Sequence, residues 1–333
     1  MDKLTGQEVK GNHGVYIVDR LIARGGRSNI LRAVSKERQE FVCIKVLTTW
    51  LDDSSIKQLQ REEAITSKLR HPNVIRIFDT GEFEGRFCTI MELAADGSLA
   101  DRLKIDRPMP LTAILPIVDQ IASALNYVHR QGIIHKDIKP GNILLDGERA
   151  ILSDFGIARV MGEQIITATS SAAGSVVYMS PEQARGDSIN EKSDQYSLAV
   201  VVFEMLTGQV PFFGSNPMET VYRIVQSHPP SIRERNPQVP TSAEQVVLKA
   251  LNKNPAHRYE TVLEFANALS RASRFTDDPR ELRPDPEEKR SNNTRTVDKS
   301  DLFTLALVAS IGAFLGAFAA ILLIALLAQF VVR

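Results

Sequence analysis

One short segment, His135 to Leu145, has residue types and spacing that indicate phosphoryl-transfer chemistry. It reads HKDIKPGNILL and places Asp137, Lys139 and Asn142 at positions i, i+2 and i+5. Nine residues further on, a DFG triplet begins at Asp154, just after an apolar run. Phosphoryl transfer from ATP needs a carboxylate that orients the attacking hydroxyl, a cation on the moving phosphate and two oxygen ligands for magnesium. These four side chains supply that set.

A glycine-containing loop near the N-terminus is the second feature with chemical meaning. Residues 22–30 read IARGGRSNI between two strand-like segments, and glycine gives such a loop the freedom to cover phosphates. The usual pattern of three spaced glycines is degraded here, so an ordinary β-turn is the better interpretation when the loop is taken alone. The three glycine positions of the pattern are occupied by Ala23, Gly25 and Ser28. Gly26 is an additional glycine, and Ile22 and Ile30 flank the pattern.

Lys45 ends the apolar segment VCIK, where a buried ammonium needs an anionic partner. The α- and β-phosphates of ATP are suitable partners. The next helix-prone segment adds a carboxylate from Glu62 or its neighbour Glu63, although the run Arg61-Glu62-Glu63 is also consistent with a plain surface charge run.

Two halves of the chain must position these residues. Between residues 14 and 93, β-branched and alternating segments predict strands around one helix. Between residues 94 and 273, helical periodicity dominates, as in the 20 residues from Leu111 to Arg130 that precede Gly132. The predicted fold class is therefore α+β, with a β-rich N-terminal lobe and a helical C-terminal lobe.

Charge and cysteine content restrict the partners and the compartment. The chain has 40 basic and 40 acidic residues among 333, so its net charge favours no nucleic-acid partner. Its two cysteines, Cys43 and Cys88, lie in apolar strand-like segments and are expected to be small buried hydrophobes without a disulfide.

The C-terminal segment has the composition of a membrane anchor. Residues 274–301 are rich in charge, proline and asparagine, which predicts a disordered juxtamembrane linker. Residues 302–328 carry no charge and exceed the roughly 20 apolar residues that a span needs, so a transmembrane helix is expected rather than a buried core helix. Because only Arg333 follows the apolar run, which ends at Val332, we expect a tail-anchored protein in the inner membrane. Its catalytic part would face the cytoplasm, next to Lys289, Arg290, Arg295 and Lys299.

Small residues in that apolar segment suggest self-association. Gly312 and Gly316 form a G-x-x-x-G pattern, which lets two membrane helices approach closely. The pattern is common by chance in spans rich in glycine and alanine, so a homodimer through this face is a hypothesis.

Taken together, these motifs resemble the eukaryotic-like (Hanks-type) serine/threonine protein kinases, specifically the bacterial transmembrane group. The resemblance covers about residues 14–272. It rests on IxxGG, VCIK, the helix Glu, HKDIKPGN, DFG, GSVVYMSPE and DQYSL in that order. It implies the bilobal kinase fold, ATP with Mg²⁺ or alternatively Mn²⁺, and protein substrates with Ser or Thr acceptors. The spacing of Glu62 from His71 and Pro72 fits the family and favours Glu62 over Glu63.

The resemblance also implies roles for individual residues. Asp137 would orient the substrate hydroxyl, Lys139 would contact the γ-phosphate, and Asn142 and Asp154 would bind magnesium. Met91 would be the gatekeeper. The adenine would lie among Ile22, Ile30, Cys43 and Leu144, and pair with the hinge backbone at Glu92 and Leu93.

The activation segment has counterparts here too. By resemblance, Ser175 would bridge Asp137 and Lys139, which favours serine/threonine specificity, and Thr167 and Thr169 would be autophosphorylated. Three further positions are expected to be structural: an ion pair between Glu182 and Arg258, and Asp194, which would hold the backbone of the catalytic loop.

One letter departs from the family pattern, because Lys136 stands where most relatives have Arg before the catalytic Asp. That Arg grips an activation-loop phosphate with two parallel hydrogen bonds, whereas Lys offers a single compact charge. Either the phosphate is gripped less tightly, or the protein does not depend on it.

Two other functions compete with an active kinase. A membrane-anchored pseudokinase, which binds nucleotide or partners without catalysis, would explain the degraded glycine loop and Lys136, but all four catalytic side chains are present. A small-molecule phosphotransferase would have no need of Ser175, the SPE triplet and Arg258, which build a peptide-docking segment.

Overall fold

The computed structural model describes residues 4–26, 28–155 and 176–274, which belong to one compact unit spanning Met1–Asp277. The side chains of Asp53 and Glu62 are also outside the description. Several expectations therefore concern parts of the chain that are not described. They are those for Thr167, Thr169, Ser175, the linker beyond Arg274 and the apolar span 302–328.

The N-terminal lobe is an antiparallel barrel of six strands in the order β1-β2-β3-β4-β6-β5, closed by pairing of β5 with β1. Alternating apolar side chains fill its interior, among them Val18, Leu31, Ile44 and Ile90. The strands are β1 (Glu8–Gly11), β2 (Val15–Arg24), β3 (Ser28–Ser35), β4 (Phe41–Leu47), β5 (Ile77–Phe83) and β6 (Arg86–Glu92).

The barrel begins earlier than residue 14, where the sequence analysis starts the N-terminal lobe. Strand β1 has one fully buried apolar residue, Val9, too weak a pattern to predict a strand from sequence. Its end is fitted closely against β5, because a Cβ at Gly11 would lie 2.1 Å from Oδ2 of Asp79. The buried Asp79 carboxylate also accepts hydrogen bonds from the His13 amide and the Tyr16 hydroxyl.

One helix, α1 (Asp53–Thr66), packs on this barrel. Asp52 is its N-cap, whose side chain accepts a hydrogen bond from the Ser55 amide and so satisfies an unpaired donor of the first turn. Its buried positions are Leu59, Glu63 and Thr66, which recur at helical spacing and face the lobe.

The C-terminal lobe is helical around a central helix that is buried almost all round, as its apolar sequence predicts. That helix ends at Gly208, whose left-handed conformation (φ 74°) suits glycine. A short hairpin of β7 (Ile143–Asp146) and β8 (Arg149–Leu152) lies on the side of the N-terminal lobe. The described helices are α2 (Leu99–Arg102), α3 (Leu111–Arg130), α4 (Pro181–Arg185), the central α5 (Glu191–Thr207), α6 (Pro217–Gln226), α7 (Thr241–Ala250) and α8 (Val262–Ala272).

Helix α3 is the one helix within the described residues that has the length and apolar composition of a membrane span. Its apolar face, with Ile114, Val118, Ile121 and Leu125, is fully buried in the core of the C-terminal lobe. Packing inside the lobe therefore explains its composition.

Candidate active site

The segment between α3 and β7 brings three of the proposed catalytic side chains into mutual contact. Lys139 Nζ lies 2.6 Å from Oδ2 of Asp137. The Asn142 amide nitrogen donates to the same carboxylate oxygen at 2.9 Å and to the main-chain oxygen of Asp137 at 2.7 Å. The Asp137 carboxylate is therefore held by an ammonium and an amide, and remains about a quarter exposed.

Main-chain hydrogen bonds connect this loop to the segment that carries Asp154. The Ser153 amide donates to the main-chain oxygen of Asn142 at 2.9 Å, and its hydroxyl donates to the same oxygen. The buried His135 ring places Nε2 2.8 Å from the Ser153 carbonyl and packs edge-on against Phe155. These contacts bring Asn142 and Asp154 to one side of the site.

The carboxylate of Asp194, near the start of α5, fixes the backbone of His135 and Lys136, the first residues of the catalytic loop. It accepts hydrogen bonds from the amides of His135 and Lys136, each at 2.8 Å, and His129 Nε2 lies 2.7 Å from it. Lys136 adopts a left-handed backbone (φ 70°), and Gln183 from α4 donates to its carbonyl. This unfavourable conformation is thus retained because the surrounding groups fix the peptide units on both sides of it.

Lys45 and Asp154 form an ion pair across the cleft between the lobes, with Nζ 2.7 Å from Oδ1. Burial by itself would raise the pKa of the Asp154 carboxyl, but the charge and hydrogen bond of Lys45, with smaller contributions from Lys139 and His135, together outweigh burial, and the pKa lies below its ordinary value. Asp154 is therefore ionised at neutral pH. Its backbone is also left-handed (φ 66°), as at Lys136.

The helix carboxylate that pairs with Lys45 stays a prediction, because the Glu62 side chain is outside the description. The alternative, Glu63, is buried and accepts a hydrogen bond from the Thr89 hydroxyl. Thr89 lies opposite Lys45 in the β4–β6 register, so Glu63 reaches the neighbouring strand position.

The residues expected around the adenine, with the exception of Ile22, form one apolar cluster between the lobes. Cys43 and Met91 belong to its buried part, and Ile30, Leu93 and Leu144 pack against it. Burial raises the pKa of the Cys43 thiol to about 12, so it stays protonated and acts as a small apolar side chain. Both cysteines are buried and free, as expected.

The glycine loop is a tight turn between β2 and β3. The Gly25 amide donates to the Ser28 carbonyl at 2.9 Å, and a Cβ at Gly25 would meet the same oxygen at 2.9 Å, so glycine is needed there. The Thr48 hydroxyl binds the Gly26 carbonyl, and Ala23 pairs with Ile30. The side chain of Ile22 is largely exposed.

Asn142 and Asp154 have the donor atoms that magnesium prefers, namely an amide and a carboxylate oxygen. Both amide-nitrogen bonds of Asn142 go to Asp137, which leaves its amide oxygen directed away from that residue. Lys45 contacts Oδ1 of Asp154, and Oδ2 is the second oxygen of an ionised carboxylate. The side chains therefore fit a divalent cation.

Another ion pair, away from the cleft, joins Glu182 of α4 to Arg258. Arg258 donates to both oxygens of Glu182, at 2.7 and 2.8 Å, and both side chains are almost completely buried. The Ser193 hydroxyl donates to Glu182, and the main-chain oxygens of Lys192 and Asn252 accept from Arg258. The charges are paired and hydrogen-bonded on every side.

Sequence reasoning did not assign a role to His135, Ser153 or His129. Each acts through a main-chain or carboxylate contact that joins distant parts of the chain, so spacing within a motif carries no sign of it. The position of His135 inside HKDIKPGN was the only available signal.

Comparison with known proteins identifies relatives over most of the chain. The family profile described as "Protein kinase domain" matches residues 16–269. Serine/threonine-protein kinase PrkC of Bacillus subtilis is 39% identical over 261 residues, which cover 78% of this chain and 40% of that protein. Serine/threonine-protein kinase PknB of Mycobacterium leprae is 37% identical over 264 residues, 77% of this chain and 42% of the relative. A probable serine/threonine-protein kinase PknB of Lactococcus lactis is 37% identical over 254 residues, which cover 75% of this chain and 40% of that relative. The chain thus matches about two fifths of the length of these curated relatives.

Proposed function

This chain belongs to the protein kinase domain family, and from that premise we propose that it transfers the γ-phosphoryl group of ATP to serine and threonine side chains of proteins, including its own. The observation that carries the proposal is the contact set in the cleft. Asp137 is held by Lys139 and Asn142, and the Ser153 bridge places the Lys45–Asp154 pair beside them. That arrangement provides a base, two cations and two metal ligands at one location.

Each side chain has a distinct task in this proposal. The Asp137 carboxylate orients the acceptor hydroxyl and takes its proton. Lys139 moves from that carboxylate towards the transferred phosphate, and Lys45 binds the α- and β-phosphates. The adenine lies against Ile30, Cys43, Met91 and Leu144, and its polar edge pairs with the hinge backbone at Glu92 and Leu93.

Asn142 and Asp154 would hold Mg²⁺, with Mn²⁺ as an alternative ion of similar oxygen preference. The cation, when bound, neutralises negative charge on the β- and γ-phosphates. Asp154 suits this task because its depressed pKa keeps it ionised, and the Lys45 ammonium keeps its orientation fixed.

The decisive experiment follows phosphate transfer from radiolabelled ATP by the full chain to serine, threonine and tyrosine peptides. We expect labelled Ser and Thr peptides, and a loss of about 10³-fold or more for Asp137→Asn. Asp119→Asn, an exposed Asp on α3, is the matched control and should retain wild-type activity. Transfer that survives Asp137→Asn would contradict the assigned base, and no transfer by the wild type would favour a pseudokinase.

We also propose that Thr167 and Thr169 are autophosphorylated and that Ser175 bridges Asp137 and Lys139. The support is the T-x-T pattern in the sequence and the resemblance of GSVVYMSPE, which contains Ser175, to the end of the kinase activation segment. Mass spectrometry of active chain should find phosphate between Gln164 and Ser175. Active protein without phosphate there would show that the activation loop is held without it, as the Lys136 substitution also allows.

A further part of the proposal is that residues 302–328 anchor the protein in the inner membrane, with the catalytic lobes in the cytoplasm. The uncharged composition of that segment supports it, and Gly312 and Gly316 support pairing of two such helices. Truncation after residue 301 should move the protein from the membrane fraction to the soluble fraction. Gly316→Ile should reduce cross-linking between copies but leave the membrane association intact.

A further inference from the structure

The hairpin of β7 and β8 belongs to the C-terminal lobe, yet its second strand is bonded to the N-terminal lobe. The Leu152 amide donates to the Asn73 carbonyl, and the Ile75 amide donates to the Leu152 carbonyl, both at 2.9 Å. The Asn73 side chain donates to the Ala150 carbonyl at 2.9 Å and to the side chain of Gln120 on α3. Residues 73–75, just before β5, are thus fastened to the C-terminal lobe.

Arg149, the first residue of β8, extends this junction to the hinge. One guanidinium nitrogen, Nη1, lies 2.9 Å from Oε1 of Glu92, and the other, Nη2, donates to the Pro72 carbonyl at 3.0 Å. Asp146, opposite Arg149 across the hairpin, lies 3.5 Å from Nη1 and orients the group. A planar guanidinium can reach two acceptors in this way, whereas an ammonium at one point cannot reproduce the fork.

These contacts matter for nucleotide binding because they connect the upper and lower surfaces of the adenine site. Glu92 ends β6 at the hinge, whereas Leu144 is the lower apolar contact and lies on β7. The hairpin register links Leu144 to Ile151, two residues after Arg149. The distance between the hinge backbone and the lower apolar contact therefore depends on how the hairpin is held to Glu92.

We propose that Arg149 is a positioning residue for ATP, which sets the hinge against the β7–β8 hairpin through its simultaneous contacts with Glu92 and Pro72. The inference rests on the proposed function, since it assigns the adenine to this cleft. Arg149 acts through Glu92 and the hinge backbone and contacts neither the phosphates nor the acceptor. Its removal therefore affects nucleotide affinity rather than the rate of transfer at saturating ATP.

The test titrates the full chain with Mg-ADP by calorimetry and measures kcat and KM for ATP. We expect Arg149→Gln to weaken Mg-ADP binding and raise KM by about three- to fivefold, the scale of a partly exposed ion pair, with kcat within twofold. Arg149→Lys, which keeps the charge and loses the fork, should be intermediate. Arg223→Gln, which breaks the comparably exposed pair with Glu219 on α6, is the control and should leave both constants unchanged.

Two further measurements separate a positioning role from a general loss of structure. Hydrogen exchange of the hinge amides in residues 88–97, without nucleotide, should be faster in Arg149→Gln and unchanged in Arg223→Gln. The double variant Arg149→Gln/Glu92→Gln should bind Mg-ADP no more weakly than Arg149→Gln alone, because Glu92 has already lost its partner in that single variant. Unchanged affinity in Arg149→Gln, or additive losses in the double variant, overturns the inference.

An active wild type with unaffected variants refutes the positioning role alone, whereas a wild type that binds no Mg-ADP refutes it together with the proposed function.

Discussion

Two ion pairs among the described residues, Lys45–Asp154 in the cleft and Glu182–Arg258 away from it, each join a carboxylate to a basic side chain but differ in how completely their donors and acceptors are used. Glu182 and Arg258 form two mutual hydrogen bonds, are both almost fully buried and are surrounded by further donors and acceptors. Lys45 and Asp154 share one close contact, and both side chains remain partly exposed. Because Glu182 and Arg258 use their donors and acceptors within the protein, that pair can only support the fold. Lys45 and Asp154 keep donor and acceptor atoms with which they can bind a phosphate and a metal. The degree of satisfaction therefore separates a structural ion pair from a candidate catalytic one.

The strongest test of this contrast removes one partner from the buried pair. Arg258→Met leaves the Glu182 carboxylate buried without its counter-charge, and the free energy of unfolding should fall by about 3–5 kcal/mol. Urea denaturation provides the measurement. The double variant Arg258→Met/Glu182→Leu should regain much of the loss, because an apolar pair leaves no uncompensated charge. A single variant as stable as the wild type would contradict the structural role.

The equivalent change in the cleft should affect activity and leave the fold largely intact. Lys45→Met removes the proposed contact to the α- and β-phosphates, and kcat/KM for ATP should fall by about 10²- to 10³-fold. The free energy of unfolding should fall by less than in Arg258→Met, since solvent reaches both side chains of this pair. Lys36→Met, which breaks the exposed pair with Glu8, is the matched lysine control and should alter neither quantity appreciably.

A smaller effect is expected when one of the additional donors around the buried pair is deleted. Ser193→Ala removes the hydroxyl that donates to Glu182 at 2.6 Å and leaves the arginine in place. A hydrogen bond to a charged acceptor contributes about 1.5–3 kcal/mol, so destabilisation in that range is expected from urea denaturation. Ser54→Ala, which removes an exposed hydroxyl bound to Asp52, should cost much less.

A pH dependence, rather than a fixed loss, is expected from Lys253, whose side chain lies close to Arg258. Its ammonium donates to the neutral Ile224 carbonyl and lies over the Phe212 ring. Burial, with a contribution from the Arg258 charge, lowers the pKa of Lys253 from 10.5 to about 7. Between those values the unfolded chain binds the proton and the folded chain does not, so stability should rise with pH from about 7 to 10.5. Lys253→Met should flatten that part of the stability–pH curve. An unchanged slope in the variant would show that other groups cause it.

The fold was largely predictable where periodicity was strong. Helix α3 has the bounds that the apolar repeat and Gly132 indicate, and β4 coincides with the apolar segment FVCIKVL. Strand β1 was missed because Val9 is its single buried apolar residue. Helix α6 was not assigned either, since it has only two buried residues, Thr220 and Ile224, and Met218 and Tyr222 on it are exposed.

Asp137, Lys139 and Asn142 lie together in the structure, as residues of one short loop should, and their catalytic roles stay predictions. Contacts between segments that are distant in the sequence could not be predicted. The Ser153 bridge runs through main-chain groups, and Arg149 reaches Glu92 from 57 residues further along the chain. Neither has a local spacing that sequence alone could reveal.

The closure of the barrel by β1 has a consequence for how copies of this protein meet. An open sheet ends in a strand whose free amide and carbonyl groups can pair with another chain. In this barrel the six strands pair all the way round, with β5 joined to β1. Copies brought to high local density therefore find no free edge among the strands described for this lobe, and any contact between copies there must be made by side chains.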